Sequence, residues 1–362
     1  MIEELIRPTI RGLADYPARD LDDSGIEVRM HRNEAALCVP QFVVDAVRAI
    51  DGEMLRTYPT ELQRSFVTNL AWRLGCPSAQ IAIGNGADEL LYAVARTVLD
   101  PGDVMLTATP TFGMYARVAA SAGAAMANVP YATRWELDPD ALIAAAGERT
   151  KLVILGNPNN PTGDAPSANL VTYIASELPN ALVIIDEVYL AFSERSLVSC
   201  VDTSQNVAVI GSFSKSAALA GARVGYAVAD ERLAAAFRRS IGPYPVGVAS
   251  LAAADAYLTG GAETTAFEAA LRAQVEKSLD AIEFAIASSA RAIWRGPANF
   301  MLADFGAEAP RIAAALAAHG IAVRAYDAPD LATMVRFCAV ADATTARVTS
   351  ALAAVLGGTV YA

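Results

Sequence analysis

Between residues 81 and 228 the chain repeats short, unbroken apolar runs. Six of them read as strands: Ile81–Ile83, Val104–Thr107, Leu152–Leu155, Leu182–Ile185, Val207–Ile210 and Tyr226–Val228. Runs without polar alternation suit strands covered on both faces. Several are separated by helical spacing, as in Asp88–Leu99, where Leu90, Leu91, Val94, Ala95 and Val98 recur at helical intervals. Strands alternating with helices predict an α/β fold, with a mostly parallel sheet sandwiched by helices. Upstream, Pro8, Pro17, Gly25 and Pro40 punctuate an irregular stretch. It is expected to be an N-terminal arm over residues 1–40, outside the core, and the large domain is expected to run over 41–245, opening with the helical spacing of Phe42, Val43, Ala46, Val47 and Ile50. Past Pro245 the character shifts. A long Ala-rich helix is predicted over Phe267–Ser288. Strands at Asn299–Asp304 and Ile321–Arg324 flank a helix at Pro310–His319, and a last helix covers Thr344–Leu356. This reads as a smaller α+β domain over 246–362, and 362 residues suit two such units.

Composition narrows the chemistry. The chain is 54% hydrophobic with 39 acidic residues against 28 basic ones, a net charge of −11. That composition buries a core, and its acidity argues against a nucleic-acid partner. The only lysines are Lys151, Lys215 and Lys277, and the only histidines are His31 and His319. A histidine-rich metal site is excluded, and no metal is expected. Cys38, Cys76, Cys200 and Cys338 are scattered, as thiols in a reducing compartment are. No uncharged apolar stretch reaches about 18 residues, and acidic residues interrupt the N-terminus where a signal peptide would be apolar. A cytoplasmic protein with no membrane partner is expected.

In an open parallel sheet, ligands collect at the carboxyl ends of strands. Here those ends are polar. After Ile81–Ile83 comes Gly84-Asn85-Gly86-Ala87-Asp88-Glu89, a glycine turn opening a helix. It suits a phosphate, through free N–H groups and the helix dipole, or simply a tight turn capped by Asp88. After Leu152–Leu155 comes Gly156-Asn157-Pro158-Asn159-Asn160-Pro161-Thr162-Gly163, a rigid loop able to aim an amide, or an Asx turn. Asp186 ends the Leu182–Ile185 run, with Tyr189 beyond it. A carboxylate there is either solvated or the partner of a buried cation such as a ring N–H⁺. After Val207–Ile210 stand Ser212, Ser214 and Lys215, with Arg223 eight residues past the lysine. Serines and arginine are natural phosphate ligands, and a lysine beside them is a candidate Schiff-base nucleophile. Lys151 and Lys277 read as ordinary charges. A phosphate cradle, an imine-forming lysine, a carboxylate for a pyridinium and groups for a phenolate are together the requirements of pyridoxal 5′-phosphate, PLP.

The same segments carry a family likeness. G-N-G-A-D-E, P-T-F-G-M-Y, N-P-N-N-P-T-G, D-E-V-Y-L-A-F and S-F-S-K-S-A-A-L-A-G-A-R-V-G-Y follow one another along nearly the whole chain. In these motifs the chain resembles the fold-type-I, PLP-dependent aminotransferases of class I/II, most of all the histidinol-phosphate aminotransferases. The resemblance implies a seven-stranded large-domain sheet. It implies that Lys215 links to PLP and then moves the proton between the substrate Cα and C4′ of the cofactor. Asp186 would pair with the pyridine nitrogen. Tyr189 and Asn160 would bind the ring oxygen, and Phe112 would stack on the ring, unless it simply packs in the core. Ser212, Ser214, Arg223 and the backbone of Gly86, Ala87 and Asp88 would hold the phosphate. Tyr58 would reach the phosphate of a neighbouring subunit, so the resemblance implies a homodimer with shared sites, the arm packing on the small domain and on the partner. Arg336, Arg324 and Tyr16 would meet the substrate, each with an alternative as a surface or packing residue. Asn299 also matches a family position.

Two segments depart from the family pattern. The arm motif N-E-N-P-x-G-P is here Asn33-Glu34-Ala35-Ala36-Leu37-Cys38-Val39-Pro40, and the L-R-I-T-V-G segment is here Val335-Arg336-Phe337-Cys338-Ala339-Val340. In the family both segments line the substrate side. The expected reaction moves an amino group from an amino acid or amino-alcohol phosphate, such as histidinol phosphate or an aromatic donor, to a 2-oxo acid such as 2-oxoglutarate. The alternative is a PLP-dependent decarboxylase or lyase of the same fold, like threonine-phosphate decarboxylase.

Overall fold

The computed structural model describes residues 2–13, 24–132, 135–193 and 196–357. Its strands in chain order are β1 (Val28–Arg29), β2 (Ile81–Asn85), β3 (Val104–Thr109), β4 (Ala125–Pro130), β5 (Thr150–Gly156), β6 (Leu182–Asp186), β7 (Val207–Ser212), β8 (Val224–Ala229), β9 (Ala292–Trp294), β10 (Phe300–Asp304), β11 (Ile321–Ala322), β12 (Arg324–Ala325) and β13 (Met334–Cys338).

Seven of these form the large sheet in the order β2-β8-β7-β6-β5-β3-β4. Only β8 opposes its neighbours; β7, β6, β5, β3 and β4 pair in parallel. Alternation along the buried strands divides the core into two layers. Val183, Ile185, Val207 and Val209 face one, and Leu182, Ile184, Ala208 and Ile210 face the other. The six apolar runs seen in the sequence are six of these strands. The seventh, β4, is an edge strand whose residues are mostly half-buried or exposed, so it carries no apolar run. Because β8 runs backwards, its amino end, with Arg223 just before it, meets the carboxyl ends of β2, β5, β6 and β7 at one edge of the sheet.

The smaller body has an antiparallel sheet in the order β12-β13-β10-β9 and a parallel pair, β1-β11. Its core gathers Val275, Leu279 and Ile282 of the Gly261–Ile286 helix with Phe300, Val335 and Phe337. Expectations from the sequence change here. Val28, Met30 and Ala36, placed by sequence in an arm outside the core, are buried in this cluster, and β1 pairs with β11. A two-residue strand is too short to leave a period in the sequence. The run Ile321–Arg324 is also divided, because β11 pairs with β1 while β12 joins β13. The helix Val248–Thr259 lies beyond residue 245, yet its Leu251, Ala253, Ala254, Tyr257 and Leu258 bury into the large-sheet layer, against the helices Gln41–Arg48 and Thr60–Leu74. Among the described residues no helix is long and apolar enough to cross a membrane.

Candidate active site

A cavity of about 510 Å³ opens at the shared strand edge, between the large sheet and the strands β12 and β13. Lys215 lies in it, in the short helix Phe213–Ser216 that caps β7. Its Nζ donates to the backbone oxygen of Arg32 at 2.8 Å. Burial, with the nearby guanidinium groups of Arg336 and Arg223 acting in the same direction, outweighs Cys338 and Glu34 and lowers the amine pKa to about 8. A large neutral fraction near pH 8 is what a nucleophilic amine needs.

Asp186 closes β6 in the same cavity and is buried. Oδ2 accepts from the Tyr115 hydroxyl at 2.8 Å, and Oδ1 from the Val188 amide at 3.2 Å. Burial raises its pKa to about 6, against the lowering effect of those two donors. Among the described residues this carboxylate has hydrogen bonds but no cation, and a protonated ring nitrogen would supply one. Tyr189 is buried, and its hydroxyl accepts from Asn33 Nδ2 at 2.9 Å. Burial raises its pKa to about 12, so the phenol keeps its proton.

The anion cradle forms where β2 turns into the Gly86–Val98 helix. Gly86 has φ +80, and a Cβ there would crowd the Arg223 guanidinium. Glycine is thus favoured by the left-handed turn, and its bare Cα leaves room for the guanidinium. Arg223, itself left-handed at φ +55, donates to the Ala220 carbonyl at 3.3 Å and lies 3.2 Å from Asp88 Oδ2 and 3.5 Å from Ser214 Oγ. Ser212 Oγ is 2.9 Å from Ser214 Oγ. Two hydroxyls, a guanidinium and the first N–H groups of a helix therefore converge on one anion site.

On the opposite wall Arg336 is buried in β13. It donates to Asn160 Oδ1 and, at 2.7 Å, to the carbonyl of His31, with its guanidinium 5.5 Å from the Phe300 ring centroid. Its buried Nε has no hydrogen-bond partner among the described residues. Arg324 lies directly across the sheet from Arg336 and 5.6 Å over the Tyr326 ring, also lining the cavity. A cradle that a Cβ would fill, a buried carboxylate without a cation and an arginine with an unmet donor all fit PLP and an anionic substrate.

Residues 29–355 match the family model of aminotransferase class I and II. The chain belongs to this family. It is 35% identical, over 92% of its length and 94% of the relative's, to the histidinol-phosphate aminotransferase of Roseiflexus castenholzii. It is 34% identical to that of Chlorobium chlorochromatii, where the match spans 65% of this chain and only 64% of the relative. The solved histidinol-phosphate aminotransferase of Sinorhizobium meliloti, in complex with pyridoxal 5′-phosphate, superposes with a TM-score of 0.88 at 28% identity, covering 97% of each chain. The fold is that of the fold-type-I aminotransferases.

Within this aminotransferase fold, the cavity brings together Ala87, Asp88, Phe112, Asn160, Asp186, Tyr189, Ser212, Ser214, Lys215, Arg223, Arg324 and Arg336, all expected from the sequence. Phe112 stands edge-on to Tyr115, with ring centroids 5.8 Å apart. Tyr58 does not line the cavity of its own chain. It is 76% exposed and stacks on Tyr244 with centroids 4.6 Å apart. Tyr16 lies outside the described residues. Sequence reasoning passed over Tyr115, Asn33 and Arg117, which also line the cavity. Tyr115 stood inside the quoted P-T-F-G-M-Y motif, as Asn33 did in the arm motif; Arg117 had no signal beyond its spacing from them. Glu187, beside Asp186, was also passed over. It is buried away from the cavity, accepting from Asn157 Nδ2 at 3.1 Å, Ser196 Oγ at 2.7 Å and the Leu197 amide at 2.6 Å. Its pKa rises to about 7 through burial.

Proposed function

We propose that the chain is a PLP-dependent aminotransferase. It would take an amino group from an amino acid or amino-alcohol phosphate, with histidinol phosphate or an aromatic donor as candidates, and pass it to a 2-oxo acid such as 2-oxoglutarate. The observation that carries this reading is the placement of the Lys215 amine and the cation-free Asp186 carboxylate in one cavity, on adjoining strands, beside the Gly86–Arg223 anion cradle. Bound PLP supplies an electron sink that stabilises negative charge at the substrate Cα. The remaining work falls to the chain. Ser212, Ser214, Arg223 and the backbone at Gly86, Ala87 and Asp88 hold the phosphate. Asp186, oriented by Tyr115, keeps the ring nitrogen protonated. Tyr189 and Asn160 bind the ring oxygen, and Phe112 covers the ring. Lys215 holds the cofactor and, when released, carries the proton at Cα. Arg336 holds the substrate carboxylate, and Arg324 meets the distal group.

The exposed Tyr58, which does not line the cavity of its own chain, supports a homodimer in which each subunit completes its partner's cradle. Tyr16 keeps its proposed place on the substrate side. The four free cysteines support a cytoplasmic setting. The large domain is read as residues 41–245 extended by the Val248–Thr259 helix, which packs on it. The test is spectroscopic. Protein purified with PLP shows a visible absorption band, and Lys215→Ala abolishes it while leaving the fold intact by circular dichroism. Retention of the band in Lys215→Ala would remove the central residue of the proposal.

A further inference from the structure

Four consecutive residues, His31 to Glu34, form a strap across the cavity, and three groups of the site are tied to it. Arg336 Nη2 donates to the carbonyl of His31 at 2.7 Å. Lys215 Nζ donates to the carbonyl of Arg32 at 2.8 Å. Asn33 Nδ2 donates to the Tyr189 hydroxyl at 2.9 Å. The strap turns at Asn33, which has φ +49. One side chain anchors that turn from below. Asn299 is fully buried, and its Nδ2 donates to the carbonyls of both Asn33, at 3.1 Å, and Glu34, at 3.2 Å.

Asn299 is itself fixed. It immediately precedes β10, and its carbonyl accepts from the Ala339 amide at 2.8 Å, extending the register in which Phe300 faces Cys338. The amide orientation is settled by its surroundings, since the flipped form would set Oδ1 against two carbonyl oxygens. In the observed orientation Oδ1 is buried without a partner among the described residues. That is a desolvation cost, accepted where both donor protons are directed at the strap.

We propose that Asn299 is a positioning residue of the active site, holding the 31–34 strap so that it fixes the Lys215 amine and the Tyr189 hydroxyl. The strap acts differently on the two groups. Asn33 occupies an acceptor site on the Tyr189 oxygen, which directs the phenol proton to an acceptor in the cavity. The Arg32 carbonyl gives the Lys215 amine a place to rest when it is not covalently engaged, and it covers the amine from solvent. The inference rests on the cofactor roles proposed for Lys215 and Tyr189.

Two variants separate these effects. Asn299→Asp keeps the size and removes both donors to the strap. Asn33→Gly keeps the left-handed turn and removes only the contact to Tyr189. The first readout is the pH midpoint of the visible band in protein loaded with PLP. A phenol that donates to the ring oxygen holds this midpoint low, and losing one oriented hydrogen bond raises it by about half a unit or more. Both variants are expected to show that rise. The second readout is the rate of reductive methylation at Lys215 in cofactor-free protein, followed by mass spectrometry. Asn299→Asp is expected to raise it about threefold or more as the strap lifts, and Asn33→Gly to leave it at the wild-type value. If Asn299→Asp does not fold, Asn299→Ala takes its place with the same expectations. Either readout unchanged in the folded Asn299 variant overturns the proposal, as does an Asn33→Gly methylation rate equal to that variant's. Borohydride reduction of the loaded wild type, with the modified peptide identified, keeps the underlying reading distinct. No phosphopyridoxyl group on Lys215 would refute the cofactor roles, whereas its presence with unmoved midpoints refutes only the role of Asn299.

Discussion

The two walls of the cavity are built differently. The large-sheet wall sets its groups at the ends of long, doubly covered strands: Asp186 ends β6, Ser212 ends β7, and Lys215 follows within one turn. The other wall is made of short pieces. Arg336 sits within β13, Arg324 in the two-residue β12, and His31 to Asn33 in a strap just past the two-residue β1. A deep sheet fixes a strand end rigidly, because moving it would disturb both packed layers. A wall of short strands and a strap can be changed residue by residue, which is the property a substrate-facing surface needs. The departures from the family pattern, at Ala35 to Val39 and at Phe337 to Val340, fall in the second wall and its supports.

If this contrast is right, changes in the first wall should remove the chemistry, and changes at the two arginines of the second should alter mainly which substrate is held. The largest effect is expected at Asp186. Asp186→Asn removes the charge that keeps the ring nitrogen protonated, and kcat should fall by about 10³-fold or more with PLP still bound. Arg336→Ala comes next. It removes a buried charge-assisted contact, so KM for the 2-oxo acid should rise about 10²-fold while the resting protein keeps its visible band. Equal losses of kcat from both variants would erase the distinction between the walls.

The same division explains what could be read from the sequence. Strand ends announce themselves, because an unbroken apolar run stops at a polar residue whose placement is then fixed. Asp186, Ser212 and Lys215 are legible for that reason. The β13 strand is not, because Arg336 interrupts its apolar run, and β4 is hidden by its exposure at the sheet edge. Asn33 depends on a left-handed turn and on Asn299, 266 residues away, and no local pattern carries such a contact. Tyr115 was in view within its motif, but its bond to Asp186 spans 71 residues and two strands of the sheet. The packing of the Val248–Thr259 helix on the large-sheet layer is hidden from the sequence because the helix is rich in alanine and presents no single apolar face.

Smaller effects sharpen the comparison. Tyr115→Phe removes a donor that lowers the Asp186 pKa and should cost about tenfold in kcat at pH 7. The smallest concerns Glu187 in cofactor-free protein. Its pKa is raised from 4.5 to about 7 on folding, so the folded state binds the extra proton between those values. Its contribution to stability is complete below about pH 4.5 and is lost as pH rises through about 7. Thermal melts across that range should show stability falling with pH, and Glu187→Gln should flatten the slope whatever its effect on the melting temperature itself. An identical slope in the variant would show that Glu187 does not titrate there.

The most direct test of the central claim is a single turnover without an oxo acid. Protein loaded with PLP is mixed with one amino donor at a time from a panel that includes histidinol phosphate and aromatic amino acids, while absorbance and products are followed. The account predicts that at least one donor converts the visible band to that of pyridoxamine phosphate and releases one equivalent of oxo product per site, with 2-oxoglutarate restoring the band. No conversion with any donor, or carbon dioxide released with the band intact, would contradict it and point to the decarboxylase or lyase chemistry of the same fold.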